Sequence, residues 1–321
     1  MAGIYRLGGR RHATRVRRRS TSRSAWATAR VDVDLVQRHT VKKWAVGSGI
    51  GGRYPASVID RSDWTGLVAQ QRVAAPSDPP VIVLPLQPSP RGGSGTFLAV
   101  DNEDREWWVK PLNNAQNERV VVTESIVGAA GRLIGAPVCE TAIVHIPKEL
   151  EGWEFRPGRT LESGFAHASL AVEAAVEDRQ LRSRDDDDNR INHVGVLALY
   201  DWCWGGDPQW LYSTADENRI FSHDHGWYLP EVGSGWTEQA LVHRVDEPHE
   251  FNGSTTLLDQ GETSRLARRL RSLTRADLCD ILCNLPHEWP VTDSELECVG
   301  WFLERRAHPV ARRLQASIGG F

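Results

Sequence analysis

Apolar positions follow two different periods in the two halves of this chain. From Val81 to Ile146, short apolar and partly β-branched runs alternate with polar turns, the pattern of strands. Val81-Ile82-Val83-Leu84 predicts a strand that Pro85, Pro88 and Pro90 end. Thr96-Phe97-Leu98-Ala99-Val100 and Glu106-Trp107-Trp108-Val109-Lys110 flank the turn Asp101-Asn102-Glu103-Asp104 and predict a hairpin. Arg119 to Leu133 carries a helical period that stops at Gly135 and Pro137, and Val138 to Ile146 returns to a strand pattern. One helix laid on a small sheet is the expected result.

Beyond Pro157 the pattern turns helical. Ala168 to Gln180 predicts a helix, and Asn192 to Trp204 predicts a buried one that runs into the Gly205-Gly206 turn. Trp210 to Tyr212 and Ile220 to Ser222 predict two short strands around Asp216-Glu217-Asn218. Thr263–Leu273, Arg275–Cys283, Ser294–Arg306 and Val310–Ser317 predict four further helices. The expected fold class is α+β in two lobes with a cleft between them, a small β-rich lobe over residues 76–155 and a larger helical lobe over 156–321. Residues 1–30 read as a disordered basic tail and 31–75 as an extension, bounded by Pro76, Pro79 and Pro80. A chain beginning near residue 76 is therefore expected to fold.

Composition narrows the class without naming a function. The 321 residues are 40% hydrophobic and 25% charged, an ordinary globular balance. No run approaches the roughly 20 apolar residues of a membrane span. The basic N-terminus lacks a signal peptide's apolar core, and the five cysteines form no CxxC pair. Together these predict a cytoplasmic protein with reduced thiols. Nine arginines and no acidic residue in 1–30 provide positive charge for nucleic acid. No recognition helix or aromatic stacking pattern accompanies them, so nucleic acid is not the expected partner. Gly47, Gly49, Gly51 and Gly52 lack the Gly-Lys-Ser/Thr of a phosphate loop.

The chemistry concentrates in an ordered series. Gly92, Gly93, Ser94 and Gly95 form a glycine-rich segment whose backbone amides can approach phosphate oxygens, or which serves only as a mobile start to the hairpin. Lys110 closes an aromatic strand, and a lysine buried there needs a carboxylate or an anionic ligand. Glu124, in the following helix, is the carboxylate in reach; a surface lysine and an ordinary helix glutamate are the plainer alternative. Asp207, directly after Gly205-Gly206, is placed to be a general base or a turn cap, with Gln209 beside it to orient substrate or help hold a metal. Asp224, inside Ser222-His223-Asp224-His225-Gly226, suits Mg²⁺, which favours carboxylate and water oxygen. His223 and His225 alternate around it and would point to opposite faces of a strand, which does not favour zinc. Glycine segment, lysine, glutamate and two aspartates in this order are the parts of a kinase-type phosphoryl-transfer site.

Several segments together resemble the HipA-like kinase family, in particular its compact stand-alone bacterial branch. They are Arg91-Gly92-Gly93-Ser94, Trp108 to Asn117 with its Lys-x-x-Asn-Asn-x-Gln core, Arg119 to Glu124, Leu133 to Val138, and Ser222 to Gly226. The resemblance covers roughly residues 80–315 and implies a two-lobed protein-kinase-like fold, ATP and Mg²⁺ as cofactors, and phosphate transfer to a protein Ser or Thr. Lys110 matches the phosphate-binding lysine, Glu124 its helix partner, Asp207 the base and Asp224 the metal-binding aspartate. The chain departs from the family in its catalytic loop. Gly206 replaces an asparagine before the base, and Tyr212 stands where a metal-binding asparagine is expected, leaving Gln209, Asp216 or Asn218 to compensate. A nucleotide-binding pseudokinase or interaction module, and a small-molecule kinase, are the alternative readings.

Overall fold

The computed structural model describes residues 59–89, 93–186, 188–230, 235–251 and 257–317. The expectations for 1–30 and for 31–58 lie outside the described residues, as does Gly92. A five-stranded antiparallel sheet forms the small lobe, in the order β1 (Ile82–Pro88), β2 (Phe97–Asp101), β3 (Glu106–Lys110), β7 (Gly164–Leu170) and β4 (Thr141–Ile146). Between β3 and β4 the chain makes helix α1 (Arg119–Ile134), which ends at Gly135 in the left-handed conformation (φ 75°). The other sheet face buries Phe97, Ala99, Trp107, Val109, Ala166 and Ala168 beneath a hairpin of β5 (Glu154–Arg156) and β6 (Arg159–Thr160).

The helical lobe contains α2 (Asn189–Trp202), α3 (Glu238–Arg244), α4 (Gln260–Arg271), α5 (Arg275–Cys283) and α6 (Asp293–Ala316). Its small sheet sets β9 (Trp210–Ser213) between β8 (Ala175–Asp178) and β10 (Arg219–Ser222). Buried residues of α2, α4, α5 and α6 share one core, which also receives Val121, Val122, Ile126 and Val127 of α1. A small β-rich lobe and a larger helical lobe are the architecture of a protein-kinase-like fold. Among the described residues, no helix is long and apolar enough to cross a membrane.

The structure departs from the sequence expectations at four places. Ala168 to Gln180 is not a helix: it holds the end of β7 and all of β8. β7 is an inner strand between β3 and β4, and its small alternating residues fit there, so sheet packing overrides the helix propensity of alanine. The small-lobe sheet therefore draws a strand from beyond residue 155. Pro85 does not end β1, because an edge strand tolerates a residue without an N–H, and the register shifts on both sides of it. Pro309 does not divide α6, because Ala307, Val310 and Ala311 are buried in one core and hold the helix in line across it.

The fourth departure concerns residues 59–75. Trp64 and Val68 are fully buried in the core of the helical lobe, with Trp64 lying over Gly300 of α6. Arg72 donates to the carbonyls of Leu285 (3.1 Å), Pro286 (2.6 Å) and Val291 (3.1 Å), and to Asp293 Oδ1 (2.8 Å). This segment completes the lobe, because an indole and a guanidinium fill positions that nothing else among the described residues occupies.

Candidate active site

Lys110, Glu124 and Asp224 meet, although 114 positions separate the first from the last. Lys110 Nζ donates to Glu124 Oε1 at 2.5 Å and to Asp224 Oδ1 at 2.8 Å. Each side chain arrives on a separate element: Lys110 ends β3, Glu124 lies on the buried face of α1, and Asp224 follows β10. Asp224 sits in the left-handed region (φ 51°, ψ 56°), which turns its carboxylate back towards the lysine. The N–H of His225 donates to Glu124 Oε2 at 2.9 Å, tying the same turn to α1. Gly226 permits this approach, since a Cβ there would stand 2.8 Å from Val120 Cγ1.

Burial sets the charges at this trio. Burial pulls the Lys110 ammonium down, but the carboxylates of Glu124 and Asp224 outweigh it and raise its pKa, so it stays protonated. Burial pushes Glu124 up to about 7 against the opposing charge of Lys110. Burial also acts to raise Asp224, but Lys110 and then His223 outweigh it and hold the carboxyl well below its ordinary range. The side chain of Asp224 is 32% exposed, against 6% for Lys110 and 3% for Glu124. Of the three, Asp224 is the ionised carboxylate that a ligand can reach, and its oxygens suit a hard cation such as Mg²⁺. A protonated lysine beside it suits a phosphate. This donor set fits an ATP–Mg²⁺ ligand.

Ser222 Oγ and His225 Nε2 are hydrogen-bonded at 2.9 Å, and the His225 ring packs edge-on against Tyr228. Burial pulls His225 down to about 3 and His223 to about 4, so both are neutral at physiological pH.

Gly93, Ser94 and Gly95 lie at the Lys110 end of the sheet. Phe97 pairs with Val109, so the chain leading into β2 passes alongside Lys110. Gly95 has φ 81°, and a Cβ there would come within 2.9 Å of Phe155. Ser94 is buried with its hydroxyl 2.8 Å from Thr96 Oγ1, which gives each hydroxyl a partner within the turn. The carbonyl of Gly93 accepts from the Arg156 guanidinium, and that of Ser94 from the N–H of Ala115 at 2.8 Å. Asn114 fastens the connection from Lys110 to α1 by donating to the carbonyls of Pro111, Leu112 and Asn117 and accepting from the N–H of Gln116. The Lys-x-x-Asn-Asn-x-Gln run thus fixes the path between the lysine and its glutamate.

Asp207 stands at the other acidic turn. A Cβ on Gly206 would lie 2.0 Å from the carbonyl oxygen of Trp227, so the Asp207 turn and the segment after Asp224 are in direct backbone contact. Gln209 Nε2 donates to Asp207 Oδ2 at 2.7 Å. Arg179 holds both Asp207 oxygens, at 3.2 Å and 3.3 Å. Tyr212 is buried, donating to the carbonyl of Gln180 and accepting from the N–H of Arg182, and is part of the lobe's packing. Asp216 and Asn218 lie in the β9–β10 turn, at the opposite end of the hairpin from Asp207 and Asp224. Asn218 donates there to Asp186 at 3.0 Å. Neither takes the place of a metal-binding asparagine.

Sequence reasoning missed His167 and Arg179. His167 pairs with Lys110 across β3 and β7 and sits 3.9 Å from Glu124, with its Nδ1 2.9 Å from Ser125 Oγ. The alternation of Ala166, His167, Ala168 and Ser169 was its signal, obscured by reading the chain from Ala168 onward as a helix. Arg179 carried no signal, because its partner Asp207 is 28 residues away. A separate cleft of about 730 Å³ opens on the other side of α1, lined by Ser125, Arg132, Thr141 and Ile281 among others, and contains none of the trio.

No family model matches the chain, and no curated protein matches it by sequence. Among solved structures, a Helicobacter pylori proinflammatory kinase, CtkA, is similar at 12% identity and TM-score 0.47, over 74% of this chain and 99% of that one. The Golgi casein kinase is similar at 10% identity and TM-score 0.42, over 81% of this chain and 77% of that one. The same kinase with Mn and ADP bound gives 10% identity and TM-score 0.42, over 80% and 77%. Likeness at this level assigns no role to any residue.

Proposed function

We propose that the chain is an ATP- and Mg²⁺-dependent phosphotransferase of the HipA-like type, acting on a Ser or Thr hydroxyl of a protein. The observation that carries this reading is the convergence of Lys110, Glu124 and Asp224 from three elements on one point. A buried ion-pair trio with a single exposed carboxylate is an expensive arrangement to keep for packing alone, since apolar residues of similar volume serve a core at least as well. In this reading Glu124 aims Lys110 at phosphate oxygens, and the amides of Gly92, Gly93, Ser94 and Gly95 approach the same phosphates. Asp224 holds Mg²⁺, assisted by Gln209, and Asp207 accepts the proton of the acceptor hydroxyl. The bound ATP–Mg²⁺ supplies the activated phosphoryl group and the cation that neutralises its charge. Incubation with γ-labelled ATP and a host-cell lysate tests the activity. Labelling of protein by wild type and not by Asp207→Asn supports it, and labelling of a small metabolite alone moves the assignment to a small-molecule kinase.

Two observations favour a second reading, a nucleotide-binding pseudokinase. Tyr212 is packed where the resemblance expects a second metal ligand, and Asp207 has donors on both oxygens. Nucleotide binding without labelling of any acceptor selects that reading.

A further inference from the structure

The ion pair between Arg179 and Asp207 conflicts with the role given to Asp207 above. Arg179 Nη1 lies 3.2 Å from Oδ1, Arg179 Nη2 donates to Oδ2 at 3.3 Å, and Gln209 Nε2 donates to Oδ2 at 2.7 Å. A carboxylate has about four lone-pair sites, and Arg179 and Gln209 take two on Oδ2 while Arg179 also crowds Oδ1, which leaves Asp207 a hindered base. Release of Arg179 opens Oδ1 and one site on Oδ2 to an acceptor hydroxyl.

Three features make that release easy. Arg179 follows directly on β8, whose Asp178 pairs with Trp210, so the backbone sets it opposite Gln209 whether or not it holds Asp207. Its side chain is 68% exposed and that of Asp207 is 30% exposed, and an exposed ion pair of this kind contributes little net stability. Guanidinium also binds a phosphate or a second carboxylate in the same two-pronged way, and charge-assisted bonds to a multiply charged oxyanion are the stronger ones. The neighbouring Arg182 does not compete for this task, being paired with Asp178 at 3.0 Å.

We propose that Arg179 is an oxyanion-binding residue of the substrate site, exchanging Asp207 for a negatively charged group of the bound substrate and thereby freeing the base. The oxyanion is either the terminal phosphate of the nucleotide or an acidic group beside the acceptor hydroxyl. The proposal rests on the phosphotransferase reading. It gives Arg179 two coupled effects, anion affinity and unmasking of Asp207, that a surface ion pair would not have.

The test compares wild type, Arg179→Ala, Arg179→Lys and Lys110→Ala. Calorimetry measures the affinity of each for ATP–Mg²⁺ and ADP–Mg²⁺, and a Ser/Thr peptide array with acidic, neutral or basic flanks measures acceptor preference. Because Arg179 is largely exposed, Arg179→Ala is expected to melt with wild type. Loss of about tenfold or more in the ratio of ATP to ADP affinity, with only part restored by lysine, identifies the terminal phosphate as the oxyanion. An unchanged ratio with a similar loss of preference for acidic flanks identifies the acceptor. If both are unchanged while Lys110→Ala weakens ATP binding, the inference is overturned and the nucleotide reading stands. If wild type does not bind ATP, or Lys110→Ala binds as well as wild type, the nucleotide reading falls and the inference with it.

Discussion

Replacing Trp64 by alanine tests whether the segment before residue 76 belongs to the folded unit. The indole is fully buried over Gly300, so closely that a Cβ on that glycine would stand 2.2 Å from Trp64 Cζ3. Its Nε1 donates to Glu304 Oε2 at 2.6 Å, and Arg275 lies over the ring at 5.8 Å. Removing a buried tryptophan costs about 3–5 kcal/mol in lost transfer energy and residual cavity. Glu304 keeps Arg275 as a partner, so the lost indole bond adds little to this figure. In a domain of this size the loss corresponds to a fall of roughly 6–20 °C in Tm. A chain beginning at residue 76 loses Val68 and the four hydrogen bonds of Arg72 as well. That combined loss approaches the ~5–15 kcal/mol by which domains are stable at all. Urea titration followed by far-UV circular dichroism measures both. A midpoint for Trp64→Ala within about 0.5 kcal/mol of wild type, or a cooperative and unshifted melt for the shortened chain, would refute the reasoning.

Three further outcomes follow from the site. Gly206→Ala places a methyl against the Trp227 carbonyl, a backbone group that cannot rotate away, and is expected to cost about 1–3 kcal/mol and to abolish transfer; unchanged stability in urea would count against the contact. Asp224→Asn is expected to remove the Mg²⁺-dependent part of nucleotide affinity, about tenfold or more, and identical calorimetry with and without Mg²⁺ in wild type and variant would reject the metal assignment. Burial holds His193 and His223 at about 4 and His225 at about 3, below the value near 6.5 of the unfolded chain. The unfolded state therefore binds their protons first, and the stability they contribute is lost as pH falls from 6.5 towards 4. Glu124, raised to about 7, opposes them with one proton. Burial, and then Lys110, hold His167 well below 6.5 too. The unfolded chain thus binds more protons, and stability falls as pH drops from 6.5 to 4.5, by roughly 1.4 kcal/mol per pH unit for each net proton; urea midpoints that stay level or rise over that range would contradict it.

Much of this architecture was readable because local pattern and tertiary role agreed. The β2–β3 hairpin, α1 and the β9–β10 pair fall where alternation, helical period and turn residues put them. Lys110 and Glu124 were a legible pair because a lysine ending an apolar strand must find an anion. The rest required contacts that no window along the chain contains. Small alanines and serines carry β7 into the middle of a sheet, where neighbouring strands rather than propensity decide the conformation. Pro309 stays inside α6 because buried residues on both sides of it share one core. Trp64 and Arg72 find their partners more than 200 residues away in α6 and the loop before it. The Arg179–Asp207 pair also lies outside any local window, its members 28 residues apart.

Titration of wild type and Lys110→Ala with ATP, in the presence and absence of Mg²⁺, tests the central claim most directly. Lys110 is the shared partner of both carboxylates, so its loss removes the one cation that both of them hold. Circular dichroism of the variant must first show that it is folded, since Glu124 is left buried without its cation. The account predicts Mg²⁺-dependent binding by wild type and an affinity at least about tenfold weaker in the folded variant. Equal affinity in the two proteins, or no binding by wild type at millimolar nucleotide, would contradict it.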